Sequence, residues 1–104
     1  MEIRRDVFQA ISDPTRREII DLLYKKTMNL NAIAENFETS RPAISKHIRI
    51  LSECGLIVIR KNGRERYCEA KLEKLKEVNN WTQKYSRFWD GKIEDLKSFL
   101  SKEK

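Results

Sequence analysis

A mainly α fold with one β-hairpin, ordered α-α-α-α-β-β-α, is the class this sequence predicts. Three observations predict it. Apolar residues recur at three- and four-residue spacing along most of the 104 positions. The exception, "LIVIRKNGRERYCEA", is rich in β-branched residues and turns at Asn62-Gly63. Positive charge gathers where the two patterns meet. The length fits a single domain, residues 1–104, with a modest core.

The charge distribution says more than its total of +6. Residues 1–40 hold six Lys/Arg against seven Asp/Glu, residues 41–66 seven against two, and residues 67–104 nine against seven. One quarter of the chain therefore carries nearly all the excess, a pattern that concentrates a polyanion such as nucleic acid. A merely solubilising surface is the competing explanation. With 39% hydrophobic and 37% charged residues the chain suits a small helical domain rather than a disordered one. No apolar run reaches the roughly 18–20 residues of a membrane span, so no membrane partner is expected. "MEIRRDVFQA" lacks the apolar stretch of a secretion signal, which points to the cytoplasm. Cys54 and Cys68, without a C-x-x-C spacing, are read as free thiols in a reducing compartment.

The elements follow in order. About Glu2 to Ile11 is a short helix with Ile3, Val7, Phe8 and Ile11 on one side. "SDPTRREIIDLLYKK" opens the second: Asp13 is its N-cap, and Pro14 takes the first helical position, where no N–H is needed. Ile19, Ile20, Leu22, Leu23 and Tyr24 form its buried side. Arg16 and Arg17 crowd positive charge into a first turn that favours anions. An ion pair with a neighbouring carboxylate is preferred over a phosphate contact as their explanation. "NLNAIAENF" makes a third helix of about two turns, with Leu30, Ile33, Ala34 and Phe37 inward.

After "ETS", Ser40 is the next N-cap and Pro42 falls at the second helical position, still free of the intrahelical ladder. Ala43, Ile44, Ile48, Leu51 and Ser52 face inward, and Gly55 ends the helix. Arg41, Ser45, Lys46 and Arg49 remain outside, with His47 nearby. Two helices joined by a tight turn, the second basic and hydroxyl-bearing near its start, describe a helix-turn-helix. Its second helix fits the roughly 12 Å major groove of DNA.

The hairpin comes next. A type I′ turn at Asn62-Gly63 would pair Lys61 with Arg64, Arg60 with Glu65, Ile59 with Arg66 and Val58 with Tyr67. Like charges opposite one another are unfavourable unless an anion joins them. A basic hairpin directly after a recognition helix is a wing that tracks the phosphate backbone. The alternative is a charged edge that discourages aggregation. From about Lys71 to Ser101 one last helix carries Leu72, Leu75, Val78, Thr82, Tyr85, Trp89, Ile93, Leu96 and Leu100 three or four apart, widened by Trp81, Phe88 and Phe99. So much aromatic surface exceeds what a small domain can cover, so a dimer interface of Phe8, Leu75, Val78, Tyr85, Phe88 and Trp89 is expected. Folding back onto the same domain is the alternative. Gly91 in mid-helix costs about 1 kcal/mol relative to alanine, so a break at Asp90-Gly91 is left open.

The motifs "ISDPTRREIIDLL", "SRPAISKHIRILSECGLI" and "RKNGRERYCEA", spanning most of Phe8 to Ala70, resemble the ArsR/SmtB family of winged-helix transcriptional repressors. "YSRFWDGKIEDLKSFL" resembles its autorepressor-like branch without metal sites. The resemblance implies a winged helix-turn-helix homodimer that binds an inverted-repeat operator in double-stranded DNA. It places base and phosphate contacts on Arg41, Ser45, Lys46, His47 and Arg49, and wing contacts on Lys61, Arg64 and Arg66.

Metal sensing is not expected. "NAIAENF" stands where soft-metal members carry a Cys-x-Cys cluster, and the last helix has no histidine. Cys54, His47 and Cys68 form no recognisable ligand set, so no cofactor is expected. Nor is catalysis, since no nucleophile–base pair or glycine-rich phosphate cradle is present. A protein-interaction module on the same fold, or a repressor switched by its thiols, are the remaining alternatives. An effector molecule or an anti-repressor protein stays open as a further partner.

Overall fold

The computed structural model describes residues 5–102. The elements run α1 (Val7–Ile11), α2 (Pro14–Lys25), β1 (Met28–Asn29), α3 (Leu30–Ala34), α4 (Arg41–Glu53), β2 (Ile57–Asn62), β3 (Glu65–Ala70), a 3₁₀ turn (Leu72–Lys74), α5 (Leu75–Gln83) and α6 (Ser86–Lys102). α1 is shorter than the Glu2–Ile11 helix expected. The Asp6 side chain caps it by accepting the Gln9 amide at 2.9 Å, and Ile3 lies outside the described residues.

α2 starts as the sequence dictates. Asp13 accepts the Thr15 and Arg16 amides at 2.8 and 3.2 Å, and Pro14 occupies the first turn. Ile19, Ile20 and Leu23 are buried, but Tyr24 is exposed, against expectation. At 100° per residue it lies one step past Leu23, already off the packed stripe. α4 ends in a Schellman motif: the Leu56 amide donates to the Leu51 carbonyl and the Gly55 amide to that of Ser52. Gly55, at φ +81°, supplies the left-handed residue this requires, and Leu51 and Leu56 are both fully buried.

The core is built from α1, α2, α3, α4 and the root of the hairpin. Val7, Ala10, Ile19, Ile33, Ile44, Ile48, Leu51, Leu56, Ile57 and Cys68 are its buried residues at the centre. Two features depart from expectation. The sheet has three antiparallel strands, not two, in the order β1-β3-β2, because Met28 and Asn29 pair with Cys68 and Tyr67. A two-residue strand is too short to leave a periodicity.

The last helix is also interrupted, at Lys84-Tyr85 rather than at Asp90-Gly91, and α6 runs through Gly91. Every residue of α6 from Arg87 to Ser101 is exposed. The radius of gyration is 18.4 Å, where a compact chain of this length has about 13 Å. α6 therefore stands out from the domain.

Candidate nucleic-acid interface

α4 is positioned by its cap and its apolar stripe. The Ser40 hydroxyl accepts the Ala43 amide at 3.3 Å, and Pro42 stiffens the first turn. Ile44, Ile48, Ile50 and Leu51 are buried and hold the helix against the core. What remains on the opposite side is Arg41, Ser45, Lys46 and Arg49, all exposed. Arg49 approaches Glu53 only at 4.0 Å, and Arg41 and Lys46 have no hydrogen-bond or ion-pair partner among the described residues. An exposed cationic stripe with so little internal pairing is available to an external anion.

The wing differs in register from expectation. Asn62 pairs with Glu65, Lys61 with Arg66, Arg60 with Tyr67, Ile59 with Cys68 and Val58 with Glu69. The two-residue turn is therefore Gly63-Arg64. Gly63 has φ +67° and Arg64 has no positive φ, the pattern of a type II′ turn rather than type I′. Each residue's partner moves by two positions, so side chains keep the faces expected of them; a shift of one would have reversed them.

Those faces sort the charges. Ile57, Ile59, Lys61, Arg66 and Cys68 share one face. A groove of about 280 Å³ lies between it and α4, with Arg66 and Ile59 on the wing side and Ser45, Ile48 and Arg49 on the helix side. The wing carboxylates lie on the other face. Glu69 pairs with Arg60 at 3.0 Å, and Glu65 accepts from the Tyr67 hydroxyl at 2.9 Å and Asn29 Nδ2 at 3.1 Å. These hydrogen bonds, Tyr67's first, hold the Glu65 carboxyl below its ordinary pKa. Lys61, Arg64 and Arg66 are exposed and have no carboxylate partner among the described residues. Lys61 and Arg66 stand directly opposite each other, which is unfavourable without an anion between them.

His47 and Arg16 are arranged as the sequence did not suggest. Arg16 is the one charged residue buried among those described. Its Nε donates to the Ala10 carbonyl at 2.8 Å and Nη2 to that of Gln9 at 3.1 Å, and Nη1 lies 3.2 Å from His47 Nδ1. Arg17 donates to the Ile11 carbonyl at 2.6 Å. In place of the expected carboxylate ion pairs, the two arginines clamp backbone carbonyls at the C-terminal end of α1. Burial acts to raise the pKa of Asp13, but the Arg16 and Thr15 amides and the nearby Arg16 charge outweigh it and hold the carboxyl below its ordinary range. His47 is half-buried, more enclosed than the exposed Lys46 beside it. No residue pattern marks this pair, and a buried arginine runs against composition-based expectation.

The residues expected at a dimer interface fall into two groups. Phe8, Leu75 and Val78 pack against the domain's own core. Tyr85, Phe88 and Trp89 are exposed and form an aromatic surface with Trp81: Phe8–Trp81 and Trp81–Tyr85 meet edge-on at 6.0 and 5.5 Å, as do Phe88–Trp89 at 5.5 Å. Cys54 and Cys68 are buried free thiols, and burial pushes both pKa values up. No three His, Cys, Asp or Glu side chains among the described residues come together as metal donors. No helix among them is long and apolar enough to cross a membrane.

Comparison with known proteins agrees with this geometry. Residues 13–58 match the profile described as "Bacterial regulatory protein, arsR family". The chain is 42% identical over 76 residues to the transcriptional repressor SdpR of Bacillus subtilis (strain 168), covering 73% of this chain and 84% of that protein. It is 33% identical over 73 residues to the arsenical resistance operon repressor of Staphylococcus xylosus, covering 70% of each. An ArsR-like transcriptional regulator from Rhodococcus sp. RHA1 superposes with a TM-score of 0.67 at 32% identity, over 89% of this chain and 88% of that one. A crystal structure of another ArsR family regulator gives 0.71 at 32% identity, over 80% and 91%. With a capped basic helix beside a charge-sorted wing, the chain belongs to the ArsR family of bacterial regulators and is a DNA-binding transcriptional regulator, not an enzyme.

Proposed function

We propose that the protein is a homodimeric cytoplasmic repressor whose two α4 helices enter successive major grooves of an inverted-repeat operator. Arg41, Ser45, Lys46 and Arg49 approach base edges and flanking phosphates, while Lys61, Arg64 and Arg66 hold the backbone. The observation that carries this is the segregation of charge at α4 and the wing. Their shared groove has cations on both walls and a single carboxylate, Glu53, which is paired with Arg5, while the hairpin's carboxylates are turned to the far face. An interaction module would have no use for that sorting. The aromatic face of α5 and α6 supports the dimer, because it is uncovered in a single chain. The thiol-switch alternative loses ground, since both cysteines are buried with raised pKa values.

Selecting bound fragments from genomic DNA with the purified protein tests this. The expected product is a two-fold symmetric sequence with half-sites about one helical turn apart. Recovery of fragments with no common or symmetric sequence would contradict the proposal.

A further inference from the structure

Arg16 is buried, and of its hydrogen-bond partners among the described residues only His47 lies on the recognition helix. A guanidinium has donors only. At 3.2 Å from Nη1, His47 Nδ1 must therefore accept, and a neutral imidazole that accepts at Nδ1 carries its proton on Nε2. Functional histidines more often donate from Nδ1 to a carboxylate or carbonyl. Asp13 makes no hydrogen bond to the ring; its Oδ1 accepts the Thr15 and Arg16 amides. Nε2 has no hydrogen-bond partner among the described residues. Because no fully buried side-chain nitrogen or oxygen among the described residues is left unpaired, Nε2 is not wholly enclosed.

We propose that Arg16 is a positioning residue for DNA binding: it fixes His47 as the Nε2–H tautomer, which presents a neutral donor to a DNA phosphate. The inference rests on the reading of α4 as the DNA-facing helix. On this reading a half-buried ring on the flank of that helix does not reach the groove floor as the exposed Lys46 can, which leaves it the phosphate wall of the groove. Arg16 also holds the Ala10 and Gln9 carbonyls, so the ring plane is referred to α1 and α2 rather than to α4 alone.

His47 is the only histidine in the chain, so its ring nitrogens give unambiguous ¹⁵N NMR signals. The expected wild-type spectrum is that of the Nε2–H tautomer, giving way to a mixture in Arg16→Lys, whose single ammonium cannot serve both α1 and the ring. On a fluorescent duplex carrying the selected operator, His47→Ala should lose about tenfold in affinity per half-site. His47→Gln, with an acceptor and a donor of its own, should stay within about threefold. Because the donor is neutral, neither change should alter the salt slope.

Arg16→Lys should weaken binding in the wild-type background and add nothing in His47→Ala, a coupling that a purely structural role would not produce. A ring protonated on Nδ1, equal losses for His47→Ala and His47→Gln, or an Arg16→Lys loss that persists undiminished in His47→Ala would each overturn the proposal. If Arg16→Lys does not fold, the wild-type tautomer and the alanine–glutamine comparison still decide. If instead Arg41→Ala and Lys46→Ala leave binding unchanged, the assignment of α4 as the DNA-facing helix fails, and the tautomer separately judges Arg16.

Discussion

Replacing Trp89 by glutamate should take the dimer apart while leaving the domain folded. Trp81, Tyr85, Phe88, Trp89, Ile93, Leu96, Phe99 and Leu100 are each between 49% and 61% exposed. Side chains of about 200 Å² therefore leave about 100 Å² apiece in water, or about 800 Å² per protomer. Two such faces give about 1,600 Å², the size of a standard stable interface. At about 25 cal/mol per Å², the share of Trp89 is about 2.5–3 kcal/mol, and it counts twice in a two-fold dimer. Losing it should raise the dimer dissociation constant by about 10⁴-fold, before the added cost of burying two carboxylates. Sedimentation velocity over a range of concentrations reads the change, with circular dichroism as the check that the domain survives. A wild-type protein that sediments as a monomer at micromolar concentration, or a Trp89→Glu variant that sediments like wild type, would refute the reasoning.

Three further outcomes are expected. Cys54 and Cys68 should react slowly with a thiol reagent in the native protein and rapidly after denaturation, because burial disfavours both thiolates; titration of native protein with a chromogenic disulfide measures this. Zn²⁺ should change DNA affinity by less than a few-fold in an anisotropy titration, with Cys54→Ser and Cys68→Ser behaving like wild type. Asp13 has a folded pKa below its ordinary 3.8, so its contribution to stability is fully present above that value and lost as pH falls through the folded one. Asn caps a helix about as well as Asp, so Asp13→Asn should change neutral-pH stability little and flatten the acid limb in denaturant titrations.

Much of this structure is legible in the sequence because its strongest signals are local. Asp13-Pro14, Ser40 with Pro42, and Gly55 fix three helix ends through single residues, and each is found doing so. The hairpin is equally plain, but Asn62-Gly63 pointed to the wrong pair of turn residues. Gly63 alone supplies the positive φ, so a type II′ turn satisfies the same glycine. β1 is too short for any period, and the break at Lys84-Tyr85 has neither proline nor glycine to announce it. Gly91, which does, sits within α6. At the site, the outward position of Arg41, Ser45, Lys46 and Arg49 follows from helical spacing. The Arg16–His47 contact joins residues 31 positions apart through the packing of α2 on α4, which no local pattern encodes.

The central claim is that α4 reads sequence while the wing holds the backbone. It is tested most directly by the salt dependence of binding to the selected operator and to a random duplex. Arg41→Ala/Lys46→Ala should lose discrimination between the two by about 1–3 kcal/mol per lost base contact. Arg64→Ala/Arg66→Ala should weaken binding to both duplexes. Each lost phosphate contact occurs twice in a dimer, so the log–log salt slope should fall by about four. A variant with all four substitutions that binds operator with unchanged affinity and unchanged salt slope would contradict the account.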